Sequence, residues 1–295
     1  MRLLDHFHWG DRTYVMGVLN VTPDSFSGDG LLSAAETVKR AIDQATQFLA
    51  AGADILDIGG ESTRPGSRSV SADEEIARVV PVVKAIAALP GAIISIDSFK
   101  AEVADAALYA GAHIINDVWG LRADPAMAKM AAARGVPVVL MHNRSRPNDV
   151  ELNARLGGSY LGAAYDDLMT DICREIMELV DTARAAGVPD DQIIVDPGIG
   201  FGKTVQQNLA IISQLNLIKD LGFPVLLGAS RKSFLGRVLD VPVEKRTEGT
   251  AAACVIGIFR GADIIRVHDV EEMTRIAKMT DAILRAPSDG GPRTN

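Results

Sequence analysis

Three short apolar runs end directly in a side chain that can form paired hydrogen bonds. Asp97 follows "IISI", Asn116 follows "HII" and Asp196 follows "IIV". A carboxylate buried at such a position without a partner costs several kcal/mol. These residues therefore predict a ligand with matching N–H donors. A planar heterocycle with amidine-like edges fits, because one carboxylate can accept two parallel hydrogen bonds.

A second group of residues is cationic. Lys232 follows the run "PVLLGAS", and Arg266 and His268 lie within "DIIRVHD". Such a group suits an anion, so a heterocycle joined to a phosphate or diphosphate would satisfy both groups of residues.

A metal site is constrained by the small supply of ligands. The five histidines stand at positions 6, 8, 113, 142 and 268, with no two at helical i, i+4 spacing, so a tightly held zinc ion is not expected. A Mg²⁺ ion that arrives with a diphosphate needs only one or two protein oxygens. Asn20, with an acid from "PDSFSGDG", would supply them.

Eight apolar runs in even succession must position these residues. They are "YVMGVLNV" (14–21), "DILDIGG" (54–60), "AIISIDS" (92–98), "IINDV" (114–118), "PVVLMH" (137–142), "IIVDPG" (193–198), "PVLLGAS" (224–230) and "DIIRVHD" (263–269). Near-continuous β-branched runs are typical of strands covered on both faces, and the helical stretches between them predict parallel crossovers. Eight such units predict a single-domain (β/α)8 TIM barrel over residues 1–286. A doubly wound open sheet is the alternative, which would not need eight evenly sized units.

The barrel interpretation brings the polar groups together. Active sites of this fold lie at the carboxyl ends of the strands, and the loops after strands seven and eight are its usual phosphate site. The polar stretch "ESTRPGSRS" after the second run lies at the same rim. The polar stretch of 18 residues after "LMH", 143–160, predicts a loop, and the Pro- and Gly-rich residues 287–295 predict a disordered tail.

Bulk properties exclude several classes of protein. The chain has 295 residues, 47% of them hydrophobic, and a formal net charge of −8 without a basic patch, so nucleic acid is not an expected partner. No run approaches the length of a membrane span, and the first residues lack a secretory apolar stretch, so a cytoplasmic protein is predicted. Cys173 and Cys254 are far apart in helical stretches and predict neither a disulfide nor a zinc site.

Two familiar motifs are absent from "DPGIGFGKT". Pro197 stands where the first glycine of a P-loop belongs, and Lys203 where the last glycine of the Rossmann pattern would fall. Thr204 is instead predicted to cap a helix, with the glycines allowing Phe201 to approach a ligand.

The chain resembles the dihydropteroate synthases of the pterin-binding barrel family. The resemblance covers nearly the whole chain through "MGVLNVTPDSFSGDG", "DIGGESTRPGS", "SIDSFK", "GAHIINDVWG", "VVLMHNR", "DPGIGFGKT", "LGASRKSFLG" and "IIRVHDV", in the family's order. It implies condensation of p-aminobenzoate with (7,8-dihydropterin-6-yl)methyl diphosphate in folate biosynthesis. It also implies Mg²⁺ as cofactor, sulfonamides as inhibitors, and a homodimer formed through barrel helices far from the mouth.

The resemblance further implies roles for individual residues. Its catalytic residues would be Asp97, Asn116, Asp196, Lys232 and Arg64. Contacts to the pterin diphosphate would come from Thr63, Arg64, Asp97, Asn116, Met141, Asp196, Phe201, Lys232, Arg266 and His268. Contacts to p-aminobenzoate would come from Phe26, Pro65, Phe201 and Ser233. Asn20 would bind the metal; Asp29 is displaced relative to the family's D-S-F-S-D-G-G pattern, so its role as a ligand is left open.

Two other readings use the same barrel. A methyltetrahydrofolate:corrinoid methyltransferase would share the pterin-facing acids but would have no use for the "ESTRPG", "SRKS" and "RVH" groups. A non-catalytic pterin-binding paralogue would bind the pterin without turnover.

Overall fold

The computed structural model describes residues 3–22, 33–62, 67, 69–146, 149–153 and 155–286. Ten strands occur in this part of the chain. They are β1 Tyr14–Asn20, β2 Ile55–Gly59, β3 Ile94–Asp97, β4 Ile114–Asp117, β5 Val138–Met141, β6 Val150–Asn153, β7 Gly157–Tyr160, β8 Ile193–Asp196, β9 Leu226–Leu227 and β10 Ile264–Val267. The predicted tail, residues 287–295, lies outside the described residues.

Eight of the strands form one parallel sheet in the order β8-β5-β4-β3-β2-β1-β10-β9. A parallel bridge between Val195 and Val225 joins the two ends of this order. An open doubly wound sheet would keep two edges, so the predicted (β/α)8 barrel is confirmed.

Helices cover the outside of the barrel. They are α1 Ala34–Ala51, α2 Ala72–Ile86, α3 Ala101–Ala110, α4 Met127–Arg134, α5 Leu168–Ala186, α6 Val205–Ser213, α7 Asn216–Lys219, α8 Ser233–Leu239, α9 Thr247–Phe259 and α10 Val270–Leu284. The predicted cap of α6 is confirmed, since Thr204 and Gln207 form a capping box. Within the described ranges, no helix has the length and apolar character that a bilayer span requires.

The barrel interior is built in layers two residues apart. One buried layer is apolar and includes Met16, Ile55, Ile114, Val139, Ile194, Leu226 and Ile264. Leu4 and Phe7, from the N-terminal segment, pack against this layer and close the bottom of the barrel. Successive residues of a strand point to opposite faces, so the next inward position is two residues further on. That position is at the carboxyl end of the strand, where polar residues follow.

The stretch near 143–160 differs from the predicted loop. It contains an antiparallel β-hairpin in which β6 pairs with β7, from Val150 opposite Tyr160 to Asn153 opposite Gly157. The Asn153 side chain accepts hydrogen bonds from the amides of Arg155 (2.9 Å) and Leu156 (2.7 Å) and so stabilises the turn. Composition alone missed this hairpin because its strands are short and polar.

Candidate active site

One lateral row of residues crosses four neighbouring strands at the mouth of the barrel. Asn20 pairs in register with Gly59, Gly59 with Asp97, and Asp97 with Asn116. Gly59 has no side chain, and a Cβ atom built on it would contact both Asp97 Cβ (3.4 Å) and Asn20 Oδ1 (3.7 Å). The predicted residues Asp97 and Asn116 therefore lie together, with Asn20 two strands away from Asp97.

A buried carboxylate lies directly beneath this row. Asp57, one inward position below Gly59, is fully buried and accepts a hydrogen bond from Asn116 Nδ2 (3.1 Å). Arg266 donates from Nε to Asp57 Oδ2 (2.6 Å) and from Nη2 to Asp97 Oδ2 (2.6 Å). The guanidinium thus bridges two acids. We call Asp57, Asp97, Asn116 and Arg266 the floor of the site.

Two carboxylate oxygens at the floor are buried without a partner among the described residues. These atoms are Oδ1 of Asp57 and Oδ1 of Asp97. Burial raises the pKa of Asp97 to about 7, although Arg266 acts in the opposite direction. Buried acceptors are expensive to leave unsatisfied, so the floor is prepared for a ligand that brings hydrogen-bond donors.

Asp196 and Lys232 form the opposite wall. Asp196 is buried, and its Oδ1 accepts a hydrogen bond from the Gly198 amide (2.6 Å). Burial raises the pKa of Asp196 and lowers the pKa of Lys232 to about 8, while the attraction between the two groups opposes both shifts. A Cβ atom built on Gly228 would lie 3.8 Å from both Asp196 Oδ2 and Lys232 Nζ. The glycine therefore keeps open the cleft that these two charges line.

The backbone before Lys232 adopts an unusual conformation. Arg231 has a φ of 56°, in the left-handed region that costs a non-glycine residue about 1–2 kcal/mol. Its side chain pairs with Asp269, and its amide donates to Thr250 Oγ1 (3.1 Å). These contacts offset the strain and direct the next residue, Lys232, into the mouth.

The loop after β8 is fixed by a buried lysine. Lys203 Nζ donates to the carbonyl oxygens of Gly198 (2.9 Å) and Phe201 (3.0 Å) and contacts His142 Nδ1 (3.0 Å). His142 Nε2 lies 3.1 Å from Glu175 Oε2. Burial, reinforced by the nearby Lys203, lowers the pKa of His142 to about 3, so its neutral ring accepts from Lys203 and donates to Glu175. This network holds the backbone of Phe201 beside Lys232, whose ammonium lies 4.8 Å from the centre of the Phe201 ring.

The segment after β2 is anchored at both ends. Lys100 Nζ donates to Glu61 Oε2 (2.5 Å) near its start and to the Val70 carbonyl (2.8 Å) at its end. The same ammonium pairs with Glu75 of α2 (2.7 Å). The two ends of the polar stretch therefore converge on one cation.

The remaining predicted residues fall into two groups. Met141 is buried and pairs in register with Asp196, while Ser233 begins α8 directly after Lys232. His268 lies at the rim, where its Nδ1 is 3.0 Å from Ser230 Oγ. Phe26, Asp29, Thr63, Arg64 and Pro65 lie outside the described residues.

Sequence reasoning missed two of the residues that shape this site. Asp57 carried a signal, since it is a carboxylate in the middle of the run "DILDIGG". No sequence pattern pointed to Lys203, because the network joins it to His142, directly after β5, and through His142 to Glu175 of α5.

The donor set at the rim suits a hard cation. Among the described residues, no group of three His, Cys, Asp or Glu side chains could hold a metal ion. Asn20 nevertheless presents an amide oxygen beside Gly59, 3.7 Å from the position of a Cβ built on that residue. One neutral oxygen of this kind fits Mg²⁺ that brings most of its ligands as water and phosphate oxygens.

Comparison with known proteins agrees with this geometry. A family model for pterin binding enzymes matches residues 16–268. The dihydropteroate synthase of Bacillus subtilis is 50% identical over 274 residues, which are 93% of this chain and 90% of that protein.

Solved structures give the same result. A dihydropteroate synthase from Clostridium difficile, crystallised in the presence of pteroic acid, is 46% identical with a TM-score of 0.86 and covers 95% of this chain and 99% of its own. The Xanthomonas albilineans dihydropteroate synthase with 4-aminobenzoic acid is 39% identical with a TM-score of 0.84, over 94% and 95% of the two chains. The chain therefore belongs to the pterin-binding enzymes and, among them, to the dihydropteroate synthases, which are transferases of folate biosynthesis.

Proposed function

We propose that this site condenses (7,8-dihydropterin-6-yl)methyl diphosphate with p-aminobenzoate to give 7,8-dihydropteroate and diphosphate. The observation that carries the proposal is the pair of buried carboxylate oxygens of Asp57 and Asp97, which lack a partner among the described residues and lie beside Asn116. The pteroic acid and 4-aminobenzoic acid named with the two related structures support these substrates.

The pterin is held by the floor and the opposite wall. Its N–H edges donate to Asp97 and Asp196, and Asn116 contributes an amide that can donate and accept. Arg266 pairs with Asp57 and Asp97, so it offsets the repulsion between two adjacent buried acids. Met141 and the stem of Lys232 complete the pocket.

Loss of diphosphate is the first chemical step. The C–O bond of the pterin methylene breaks, the diphosphate takes the electron pair, and the electron-rich ring stabilises the cation that remains. His268, at the rim, is assigned to receive the departing charge, and Arg266, Thr63 and Arg64 are assigned the same role. Bound through Asn20, Mg²⁺ would supply additional positive charge to the leaving group.

The amine attacks second. The p-aminobenzoate nitrogen forms a bond to the methylene carbon with its lone pair and then loses a proton to solvent water. Its ring is assigned to Phe201, with Phe26 and Pro65 as further contacts, and its carboxylate to the Ser233 hydroxyl. No covalent enzyme intermediate is required.

We also propose a cytoplasmic homodimer. Phe259 of α9 and Ile283 of α10 are 59% and 62% exposed on helices that pack side by side. Large apolar side chains grouped on an outer face are typical of a subunit interface.

A diphosphate-release assay tests the function directly. Release should require both the pterin diphosphate and Mg²⁺, and chromatography should identify dihydropteroate only when p-aminobenzoate is present. Binding of the pterin without release, measured by calorimetry, would instead indicate a non-catalytic paralogue. Methyl transfer to a corrinoid would indicate the methyltransferase.

A further inference from the structure

The hairpin formed by β6 and β7 is bound to α8, the helix that begins directly after Lys232. Arg237 of α8 donates from Nη2 to Glu151 Oε2 (2.6 Å) and Ser159 Oγ (2.7 Å). Arg155, in the turn, pairs with Asp240, which ends the same helix. Both strands and the turn are therefore bound to α8, whose first residue follows Lys232.

A buried arginine links the hairpin to the strained segment before Lys232. Arg246 donates from Nη2 to the Leu156 carbonyl (2.8 Å) and from Nη1 to the Arg231 carbonyl (2.9 Å). A Cβ atom on Gly236 would lie 2.3 Å from Arg246 Nη2, so only glycine leaves room for this guanidinium. The hairpin turn and the segment before Lys232 thus accept hydrogen bonds from the same guanidinium.

The end of the hairpin runs beside the loop that carries Phe201. The Ala163 amide donates to the Gly202 carbonyl (2.9 Å), and Gln207 Nε2 donates to the Ala163 carbonyl (3.1 Å). A Cβ atom on Gly162 would lie 2.3 Å from Thr204 Cγ2, which shows how closely the two segments approach.

These contacts bring Tyr160, the last residue of β7, onto Phe201. The two ring centres are 5.8 Å apart and the ring planes differ by 27°, a stacked arrangement. Phe201 also lies under the Lys232 ammonium. Because Lys203 already fixes the backbone of Phe201, the Tyr160 ring and the Lys232 ammonium together restrict the remaining rotation of its side chain.

We propose that Tyr160 is a positioning residue for the aromatic amine substrate. It acts through Phe201, holding that ring in the orientation that a flat benzoate requires, and the hairpin provides the support. This inference rests on the proposed placement of p-aminobenzoate at Phe201. The hairpin of β6 and β7, which has no assigned contact to the pterin or the diphosphate, thus takes part in binding the amine.

Steady-state kinetics of the full-length enzyme test the inference. In Tyr160→Leu, which keeps apolar bulk but loses the ring, KM for p-aminobenzoate should rise about three- to tenfold. The KM for the pterin diphosphate and kcat should stay within about twofold, and Tyr160→Phe should restore the wild-type KM. Leu152→Ser, at an exposed position of the same hairpin (71% exposed), is the matched control and should change neither KM.

A second variant covers the case in which Tyr160→Leu unfolds. Residues 150–160 are replaced by two glycines that join Asp149 to Leu161, whose backbones are already hydrogen bonded (2.8 Å). The same rise in KM for p-aminobenzoate is expected. An unchanged KM in the folded variants, or equal rises in both KM values, would overturn the role of Tyr160.

Phe201→Leu separates this inference from the proposed function. If it raises KM for p-aminobenzoate while the Tyr160 variants do not, only the positioning role is wrong. If neither residue affects that KM, the placement of the amine is wrong. If the wild-type enzyme forms no dihydropteroate, the proposed function itself fails.

Discussion

Replacement of Lys232 by methionine should separate the charge of this residue from its bulk. Methionine has a similar length but cannot donate a hydrogen bond or carry charge. The Lys232 ammonium donates to the Ile199 carbonyl, lies over Phe201 and faces Asp196. We expect Lys232→Met to bind the pterin diphosphate poorly and to fold normally, because the cleft keeps its shape.

The magnitude follows from the hydrogen bond that the ammonium is proposed to donate to the bound pterin diphosphate. A hydrogen bond from a charged group contributes about 1.5–3 kcal/mol. Loss of that contribution corresponds to a decrease in kcat/KM of about 10- to 150-fold. The pKa of Lys232 is lowered to about 8 by burial, so wild-type kcat/KM should also fall as the pH rises through about 8. That decrease should be missing in Lys232→Met.

The assay is kcat/KM for the pterin diphosphate from pH 5 to 10, with p-aminobenzoate saturating. Lys219→Met is the matched control, because Lys219 pairs with Asp263 (2.7 Å) just before β10, at the opposite end of the barrel. It should lower Tm without changing kcat/KM by more than about twofold. A Lys232→Met enzyme within about threefold of wild type, a difference of about 0.7 kcal/mol, would refute the assigned role.

Three further predictions address other parts of the molecule. The pKa of Asp97 is raised to about 7 and the pterin donors require its ionised form, so kcat/KM should fall as the pH drops below about 7. Asp97→Asn should remove that acidic limb; its persistence would assign the limb to another group. Gly228→Val should fill the cleft between Asp196 and Lys232 and weaken pterin binding about tenfold or more by calorimetry, with Tm little changed; wild-type affinity would contradict the proposed pterin position. The double substitution Phe259→Asp and Ile283→Asp should give a monomer in sedimentation velocity, and an unchanged mass would exclude this face as the interface.

The fold could be predicted because its signal is local and repeated. Strands covered on both faces require nearly continuous apolar residues, and a parallel sheet requires a crossover after each one. Eight such units are visible in the sequence, and each ends in polar residues. A hairpin of short, polar strands has no such signal, so the segment near 143–160 was predicted as a loop. The hairpin is held in place by Arg155, Arg237 and Arg246. Arg237 and Arg246 lie 86 and 90 residues along the chain from the hairpin residues that they contact.

Adjacent polar residues at a strand end show where sequence reasoning stops. Asn116 and Asp117 are neighbours, but consecutive side chains point to opposite faces. Asn116 faces the barrel floor and contacts Asp57, whereas Asp117 accepts hydrogen bonds from the amides of Trp119 and Leu121 (both 2.8 Å) and stabilises the turn. The pattern predicts that the pair lies at the rim, and the register of the sheet decides which member meets a ligand.

The sequence by itself determined the barrel, and it predicted the carboxylate and amide groups at the mouth that we propose to bind the pterin. These features depend on residue type and on spacing along single strands. Only the tertiary structure decided that Arg266 bridges Asp57 and Asp97, that Lys203 fixes the Phe201 loop, and that Tyr160 stacks on Phe201. The Arg266 and Tyr160 contacts join segments far apart in the chain, and the Lys203 network does so through His142, 61 residues away, so only the folded barrel brings these groups together. The low dielectric environment inside the barrel then shifts the pKa values of the buried charged groups.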